Sequence, residues 1–240
     1  MAPPSFDPPP LAVLFDLDDT LCDYMSAREA RLRIAFAMTP DGDVASREGI
    51  DLDQMIADSI RIHPHGADHF AELFRAYGID DPAQARAAAD WYRQNRFHGL
   101  ALYPESRAVL RAVRPRLTAG DRLARQPIGI ITNGPSEVQR AKLDLLKIDD
   151  LVDFAVISEE FGAAKPDPSI FHEALHQAGV LAAEAVFIGD SPEFDMAGAR
   201  AAGIRSVWLN RHNAPWNDPD WTPDREIQSL LEFRELIEPG

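Results

Sequence analysis

Three aspartates directly follow a short apolar run near the start of the chain, and their spacing suits acid–base and metal chemistry. The run Leu11 to Phe15 has the length and bulk of a strand buried on both faces, and Asp16, Asp18 and Asp19 come after it. Asp16 and Asp18 are two residues apart, so in an extended chain their side chains point to the same side. Three adjacent carboxylates are costly beside a buried strand unless a cation balances their repulsion. The spacing therefore predicts a metal ion, with one carboxylate placed to attack and its neighbour placed to move a proton.

Asp-rich turns also occur without any catalytic role, because an Asp side chain can bond its own backbone. Further polar groups downstream decide between these alternatives. They lie at the ends of later predicted strands or in the loops after them: Thr132 and Asn133, then Lys165, then Asp190 with Asp195. In an open parallel sheet, ligands bind at the carboxyl ends of the strands. We therefore expect these side chains to meet the first aspartates at one site.

The elements that must position these residues alternate between strand and helix. Short apolar runs predict strands over 11–15, 127–131, 154–157, 185–188 and 206–209, with helical patterns between them from residue 105 onward. Alternation of this kind implies right-handed crossovers and a sheet that is covered on both sides. The predicted fold class is α/β, with a doubly wound, Rossmann-like parallel sheet.

The segment between residues 24 and 100 has a helical pattern and no convincing strand. Ser26 and Glu29 have the spacing of a capping box at the start of its first helix. We therefore expect an α/β core made of residues 11–23 and 101–240, with an all-helical domain inserted at 24–100. Residues 1–10 read as a disordered, Pro-rich leader.

Composition excludes several classes of partner. There are 24 basic and 39 acidic side chains, and the resulting net charge of −15 disfavours nucleic acid and anionic membrane surfaces. No apolar run approaches the length of a membrane span or of a signal peptide. The single cysteine, Cys22, excludes an intramolecular disulfide and is typical of a reducing compartment. The sequence thus predicts a cytoplasmic protein that binds neither nucleic acid nor membrane.

Four segments carry a family resemblance. DLDDT, ITNG, GAAKPDPSIF and GDSPEFD resemble, in this order, the four motifs of the haloacid dehalogenase-like (HAD) hydrolases. The helical insertion after the first motif resembles the alpha-helical cap of these enzymes, and the match extends from Leu11 to Ile237. Segments TNGPSEVQRAKL and VISEEFGAAKPDPSIF are also similar to those of pyrimidine nucleoside 5′-monophosphatases and N-acylneuraminate-9-phosphate phosphatases. These segments belong to the core, whereas substrate choice is expected to lie in the cap.

The resemblance implies a Mg²⁺-dependent phosphatase that forms an aspartyl-phosphate. Asp16 is the expected nucleophile and a metal ligand, Asp190 is a second carboxylate ligand, and the backbone carbonyl of Asp18 is a third ligand. The Asp18 carboxyl would protonate the leaving alkoxide and then accept a proton from water. The expected substrate is a small phosphorylated metabolite, either a nucleoside monophosphate or a sugar phosphate, because a helical lid excludes larger molecules.

The remaining motif residues are expected to hold the phosphoryl group or to support those that do. Lys165, the Thr132 hydroxyl and the backbone N–H of Asn133 would bind the phosphoryl oxygens. Asp195 is expected in the outer shell of the metal or as a brace for Lys165, and Thr20 is expected to bond the turn.

Two other activities are compatible with the same scaffold, namely a 2-haloacid dehalogenase and a phosphomutase-type transferase; a catalytically silent phosphate-binding protein is the third alternative. Asp18 favours the phosphatase, because dehalogenases that resemble this chain lack a carboxylate there and a halide needs no proton. The intact set of catalytic residues disfavours the silent protein.

Several residues have no firm role in the sequence. His63, His65 and His69 have a spacing that could hold a second metal, although the HPHG sequence is more typical of a helix entry in a lid. Trp216 and Trp221 flank a Pro- and Asp-rich loop after the last predicted strand. A solvated helix face is the favoured interpretation for four arginines of the insertion: Arg28, Arg31, Arg93 and Arg96.

Overall fold

The computed structural model describes residues 6–37, 49–62, 68–114 and 126–237. Its sheet has six strands, all paired in parallel, in the order β3-β2-β1-β4-β5-β6. The strands are β1 (Ala12–Phe15), β2 (Ile128–Thr132), β3 (Phe154–Ile157), β4 (Ala185–Gly189), β5 (Arg205–Leu209) and β6 (Arg225–Ile227). The parallel sheet is as predicted, but the sequence missed β6, because its residues Arg225, Glu226 and Ile227 form no apolar run.

The helices have the following bounds: α1 (Tyr24–Ala37), α2 (Leu52–Ile62), α3 (His69–Ala76), α4 (Pro82–Gln94), α5 (Ser106–Val113), α6 (Ser136–Leu146), α7 (Ser158–Phe161), α8 (Pro168–Ala178), α9 (Ala197–Ala202) and α10 (Leu230–Ile237). A π-helical turn, Pro192–Met196, precedes α9. The prediction that Ser26 and Glu29 form a capping box at the start of the first helix is wrong. Helix α1 begins at Tyr24, two residues before Ser26, so both residues lie inside the helix.

The strand order reverses at β1. Strands β2 and β3 extend the sheet on one side of β1, whereas β4, β5 and β6 extend it on the other. In open α/β sheets, the crevice outside the strand ends at such a reversal is the usual ligand site. The residues that follow β1 and β4 therefore flank this crevice.

Both faces of the central strand are covered, as a buried parallel strand requires. Leu14 of β1 belongs to a core cluster with Phe171 of α8 and Phe187 of β4. On alternate positions, Phe15 meets Phe233 of α10 edge-on, with the ring centroids 6.0 Å apart. The four residues of β1 are fully buried, so this strand holds the following aspartates on a rigid support.

The chain divides into two compact units, Met1–Asp23 with Leu102–Gly240 and Tyr24–Ala101. The described residues of the second unit form helices α1 to α4, which pack around their own apolar cluster that includes Leu32, Phe36 and Phe74. The role of this unit as a cap stays a prediction. No helix among the described residues has the length and apolar character needed to cross a bilayer.

Two of the four arginines in the helical unit are buried, contrary to the solvated face that the sequence favoured. Arg28 donates to the carbonyl of Ile60 at 3.1 Å, and the guanidinium of Arg31 lies 5.3 Å from the ring centroid of Tyr24 and 5.5 Å from that of Tyr92. Carbonyl and aromatic partners thus replace water around these two cations.

The histidine cluster is only partly described, since His63 and His65 lie outside the described residues. His69 is buried at the start of α3, and its Nε2 is 2.9 Å from the Ser59 hydroxyl oxygen. Packing and the hydrogen bond to Ser59 therefore explain the presence of His69 without a metal.

The second half of the predicted leader is ordered. Phe6 is buried, with the guanidinium groups of Arg205 and Arg225 within 5.4 Å of its ring centroid. The carbonyl of Pro8 accepts a bond from Arg205 at 2.6 Å. Residues 6–10 therefore pack against the sheet through an aromatic ring and their carbonyls, while residues 1–5 lie outside the described residues.

We predict that Leu14→Ala lowers the free energy of unfolding by about 2 to 5 kcal/mol, because a buried leucine is replaced by a cavity. The matched control is Leu181→Ala, at a side chain that is 72% exposed, where a change within about 0.5 kcal/mol is expected. Urea denaturation followed by tryptophan fluorescence measures both. Equal stability of the two variants would contradict the assignment of Leu14 to the core.

Candidate active site

Asp16 and Lys165 form the centre of the site. Asp16 follows β1 directly, and its backbone N–H donates to the carbonyl of Ile188 in β4 at 2.9 Å. The ammonium of Lys165 lies 2.5 Å from Asp16 Oδ1 and 2.6 Å from Asp195 Oδ1, and its side chain is 4% exposed. Lys165 therefore joins the residue after the first strand to the turn after the fourth, as a brace between two buried carboxylates.

Three carboxylates converge around this ammonium. One oxygen from each of Asp16, Asp190 and Asp195 lies within 4.8 Å of the other two. Burial, opposed by the charge of Lys165, raises the pKa of Asp16 to about 7. Burial and the charge of Asp16 raise the pKa of Asp190 to about 9. Burial alone would lower the pKa of Lys165, but the charges of Asp16 and Asp195 raise it above its ordinary value.

Burial is the main cause of the raised pKa values of Asp16 and Asp190, and the neighbouring carboxylates add to it. Within the described parts of the chain, the ammonium of Lys165 pairs with two of these three acids, Asp16 and Asp195. The donors are all carboxylate oxygens, which suit a hard divalent cation. The cluster includes Asp16 and Asp190, the two carboxylate ligands that the sequence predicted, together with Asp195; the ligand set itself stays a prediction.

Close packing at Gly189 fixes Asp195. A Cβ atom on Gly189, the last residue of β4, would lie 2.5 Å from Asp195 Cγ, so only glycine leaves room for this carboxylate. The backbone N–H of Ser191 donates to the second oxygen of Asp195 at 3.0 Å. Asp195 thus has one oxygen bound to the main chain and the other bound to Lys165.

Asn133 positions Lys165 through the main chain. Its side-chain amide donates to the carbonyl of Lys165 at 2.9 Å, and its side-chain oxygen accepts from the backbone N–H of Lys165 at 2.8 Å. The sequence did not predict this pair of hydrogen bonds, because only the backbone N–H of Asn133 was assigned a role. The amide fixes the loop from which the buried ammonium extends.

Thr20 bonds a different partner from the one expected. Its hydroxyl donates to Asp190 Oδ1 at 3.4 Å instead of bonding the turn, and the residue is fully buried. The carbonyl of Asp190 accepts a bond from the indole of Trp208 at 2.9 Å. Asp190 is therefore supported on both its side chain and its main chain.

The tryptophan loop has a structural role next to this support. The ring of Trp216 lies 5.1 Å from that of Trp208 and 5.5 Å from that of Trp221, measured between centroids. The indole N–H of Trp216 also donates to the carbonyl of Trp221 at 2.6 Å. The loop thus packs on the residue that holds the main chain of Asp190.

Asp18 lies in a second group of polar contacts. The ammonium of Lys142 is 2.6 Å from Asp18 Oδ2, and the amide nitrogen of Gln139 is 3.3 Å from the same oxygen. The Gln139 amide also donates to the hydroxyl of Thr132, the last residue of β2. Sequence reasoning missed Lys142 and Gln139, although their spacing of three on one helix right after ITNG was a usable signal.

Cys22 is unsuited to nucleophilic chemistry. The residue is fully buried and its S–H donates to the carbonyl of Leu17 at 3.4 Å. Burial, together with the charge of Asp18, raises the pKa of the thiol well above its ordinary range. The raised pKa disfavours the thiolate, which is the reactive form.

Comparison with known proteins finds relatives that span the chain. Residues 10–203 match the family described as haloacid dehalogenase-like hydrolase. A glyceraldehyde 3-phosphate phosphatase of Methanopyrus kandleri is 35% identical over 236 residues, which are 94% of this chain and 96% of that protein. The pyrimidine 5′-nucleotidase YjjG of Escherichia coli is 40% identical over 114 residues, 46% of this chain and 49% of that protein. The solved 2-haloacid dehalogenase of Pseudomonas syringae pv. Tomato DC3000 matches with a TM-score of 0.56 at 31% identity, covering 94% of this chain and 97% of that one.

We predict that Lys165→Met lowers the free energy of unfolding by about 3 to 5 kcal/mol, because two buried carboxylates lose their cation. The exposed Lys147 provides the matched control, and Lys147→Met is expected to change stability by no more than about 0.5 kcal/mol. Chemical denaturation at neutral pH without added metal measures the difference. A cost for Lys165→Met as small as that of the control would contradict the buried ion pair.

Proposed function

The chain belongs to the haloacid dehalogenase-like hydrolase family, and we propose that it is a Mg²⁺-dependent phosphatase whose Asp16 is transiently phosphorylated. Its enzyme class, a phosphoric monoester hydrolase, follows from the family and from a full-length phosphatase relative at 35% identity. The observation that carries the mechanism is the Lys165 ammonium, buried between Asp16 and Asp195 and adjacent to the acidic cluster. An acceptor carboxylate and a cation for phosphoryl oxygens are thus side by side.

The oxygen donors of the cluster suit Mg²⁺. In the proposed site, the carboxylates of Asp16 and Asp190 and the backbone carbonyl of Asp18 would hold the ion, and Asp195 would support it from the outer shell or through Lys165. When bound, Mg²⁺ supplies charge neutralisation for the phosphate dianion and for the carboxylates. The raised pKa values of Asp16 and Asp190 support the need for such a cation.

The proposed reaction has two displacements at phosphorus. A carboxylate oxygen of Asp16 bonds to phosphorus, the ester P–O bond breaks, and the Asp18 carboxyl donates its proton to the departing alkoxide. Water then attacks the aspartyl-phosphate, Asp18 takes one of its protons, and the bond to Asp16 breaks to release inorganic phosphate. General acid–base assistance of this kind is worth about 10²- to 10⁴-fold in rate.

Three groups are proposed to hold the transferring phosphoryl oxygens. The Lys165 ammonium supplies a point charge, and the Thr132 hydroxyl and the backbone N–H of Asn133 supply directional donors. The side-chain bonds from Asn133 to Lys165 support this assignment, because they tie two of the three groups together.

The proposed substrate is a small phosphorylated metabolite, either a nucleoside monophosphate or a sugar phosphate. The pyrimidine 5′-nucleotidase of E. coli supports the first class, and its match covers about half of this chain. The helical unit is proposed to act as the cap that selects the substrate. The net charge of −15 supports the absence of nucleic acid and anionic membrane partners, and the single cysteine supports a cytoplasmic location.

A dehalogenase is the second candidate, because the P. syringae relative is 31% identical over most of both chains. A halide leaves without a proton, so a dehalogenase has no use for an acid at Asp18. The two donors that hold the Asp18 carboxylate therefore favour the phosphatase.

We predict that the protein releases p-nitrophenol from p-nitrophenyl phosphate in the presence of MgCl₂, and that EDTA abolishes the release. Asp16→Asn removes the attacking carboxylate and should lower kcat by at least about 10³-fold, since the nucleophile acts in every turnover. Release that persists with EDTA or with Asp16→Asn would contradict the mechanism.

The same assay separates the two candidates. Chloride release from 2-chloropropionate, measured with the same enzyme batch, is expected to be absent. A screen of nucleoside monophosphates and sugar phosphates, ranked by kcat/KM, then identifies the preferred leaving group. Chloride release without phosphatase activity would favour the dehalogenase.

We predict that MgCl₂ at about 100 times its Kd stabilises the wild-type protein by about 2.7 kcal/mol. Asp190→Asn removes a charged ligand and should abolish most of this gain. Asp53→Asn, at a side chain that is 79% exposed, is the control and should keep it. Thermal denaturation with and without MgCl₂ measures the gain, and an unchanged gain in Asp190→Asn would contradict the ligand assignment.

A further inference from the structure

Helix α6 carries two buried polar residues that lie outside all four motifs. Gln139 is 1% exposed and Lys142 is 4% exposed, and the two are three positions apart, on one face of the helix. Long polar side chains are rarely buried to this extent unless they have specific partners. Their partners include Asp18 and Thr132, which the proposed mechanism uses.

We propose that Lys142 and Gln139 are positioning residues, which fix the Asp18 carboxylate in the orientation that proton transfer to the leaving group requires. The inference rests on the proposed function, because it assigns these residues through the acid–base role of Asp18. Neither residue touches the substrate in this proposal.

The contacts act on one oxygen of the carboxylate. The Lys142 ammonium lies 2.6 Å from Asp18 Oδ2, and the Gln139 amide lies 3.3 Å from the same atom. The other oxygen, Oδ1, contacts the weaker S–H donor of Cys22 at 3.6 Å. Oδ2 is thus held by a charge-assisted bond, and Oδ1 is the oxygen that can exchange a proton with the leaving group.

Gln139 also couples Asp18 to the phosphoryl-binding side of the site. Its amide nitrogen has two N–H donors, and it contacts both Asp18 Oδ2 and the Thr132 hydroxyl. A Cβ atom on Gly134 would lie 3.3 Å from the Gln139 side chain, so this glycine leaves the amide the room it occupies. One side chain therefore sets the distance between the acid–base group and the hydroxyl that holds phosphate.

The rest of α6 keeps this face turned inward. Leu143 and Leu146 are buried beside the polar pair. On the outer side, the Arg140 guanidinium makes a two-point contact with the Glu160 carboxylate at 2.9 and 2.6 Å. Packing on one side and an ion pair on the other thus fix the orientation of the helix. The Lys142 ammonium therefore contacts Asp18 from a rigid element.

The test compares substrates that differ in their need for an acid. p-Nitrophenolate is a stable leaving group that departs without a proton, whereas the alkoxide of an alkyl phosphate must be protonated. For Lys142→Met we expect kcat/KM to fall by about 10²-fold with the alkyl phosphate that the wild type hydrolyses fastest, the loss typical of a misplaced catalytic group. With p-nitrophenyl phosphate a fall of less than about 3-fold is expected, because the same binding contacts remain without an acid requirement.

A double-mutant cycle tests whether the effect passes through Asp18. In an Asp18→Asn background, Lys142→Met should cause no further loss with the alkyl phosphate, because the group it positions is gone. Lys147→Met, at an exposed lysine close by in the sequence, is the matched control and should match the wild type on both substrates. Inhibition by inorganic phosphate should be unchanged in Lys142→Met.

Gln139→Leu keeps the proposal testable if Lys142→Met does not fold, as judged by thermal denaturation. The leucine is similar in size. We expect the loss with the alkyl phosphate to exceed the loss with p-nitrophenyl phosphate by about 10-fold, since one of the two donors to Asp18 remains and the lost bond to Thr132 affects both substrates alike. Equal losses on the two substrates, or an additive loss in the Asp18→Asn background, would overturn the inference. A wild-type protein that hydrolyses neither phosphate would instead overturn the proposed function.

Discussion

The interaction on which the site depends is the buried ammonium of Lys165 between Asp16 and Asp195. Removing carboxylates from water is expensive, and their attraction to a cation offsets that expense only with close geometry and further hydrogen bonds. Both conditions are met here, since the contacts are 2.5 and 2.6 Å long and Asp195 also accepts a backbone N–H. The pair therefore joins the residue that follows the first strand to the turn that follows the fourth.

This ion pair in turn depends on small features of the main chain. Gly189 leaves the space that the Asp195 carboxylate fills, and the Asn133 amide fixes the main chain of Lys165 with two bonds. Trp208 holds the carbonyl of Asp190. A group such as a catalytic carboxylate needs supporting contacts to hold a productive geometry. Here much of that support comes from backbone atoms, which depend on the fold as a whole.

The sequence predicted the sheet and the acidic residues because their signals are local. A run of apolar residues that ends in aspartates, as from Leu11 to Asp18, contains both the strand and its functional end. The burial of Lys142, Gln139 and Arg31 was not predicted, because each looks like an ordinary polar position on an amphipathic helix. Burial of such a side chain is decided by a distant partner, such as Asp18 at a separation of 124 residues from Lys142. The short strand β6 was not predicted for a related reason. Its pairing with β5 defines it as a strand, and its sequence contains no apolar run.

Two buried lysines place positive charge next to the groups that the proposed mechanism uses, within a protein that is acidic as a whole. With a net charge of −15, the molecule repels a phosphate dianion at long range. Salt screens this repulsion beyond about 8 Å at physiological ionic strength, so local charges decide binding once the substrate has arrived. Lys165 and Lys142 are each buried and each paired with a carboxylate that the proposed mechanism uses, so their charge is fixed next to the proposed reacting groups. A dehalogenase on the same scaffold would use only the first of these pairs, because a departing halide needs no positioned acid. The presence of the second pair is the physical reason to favour phosphate esters as substrates.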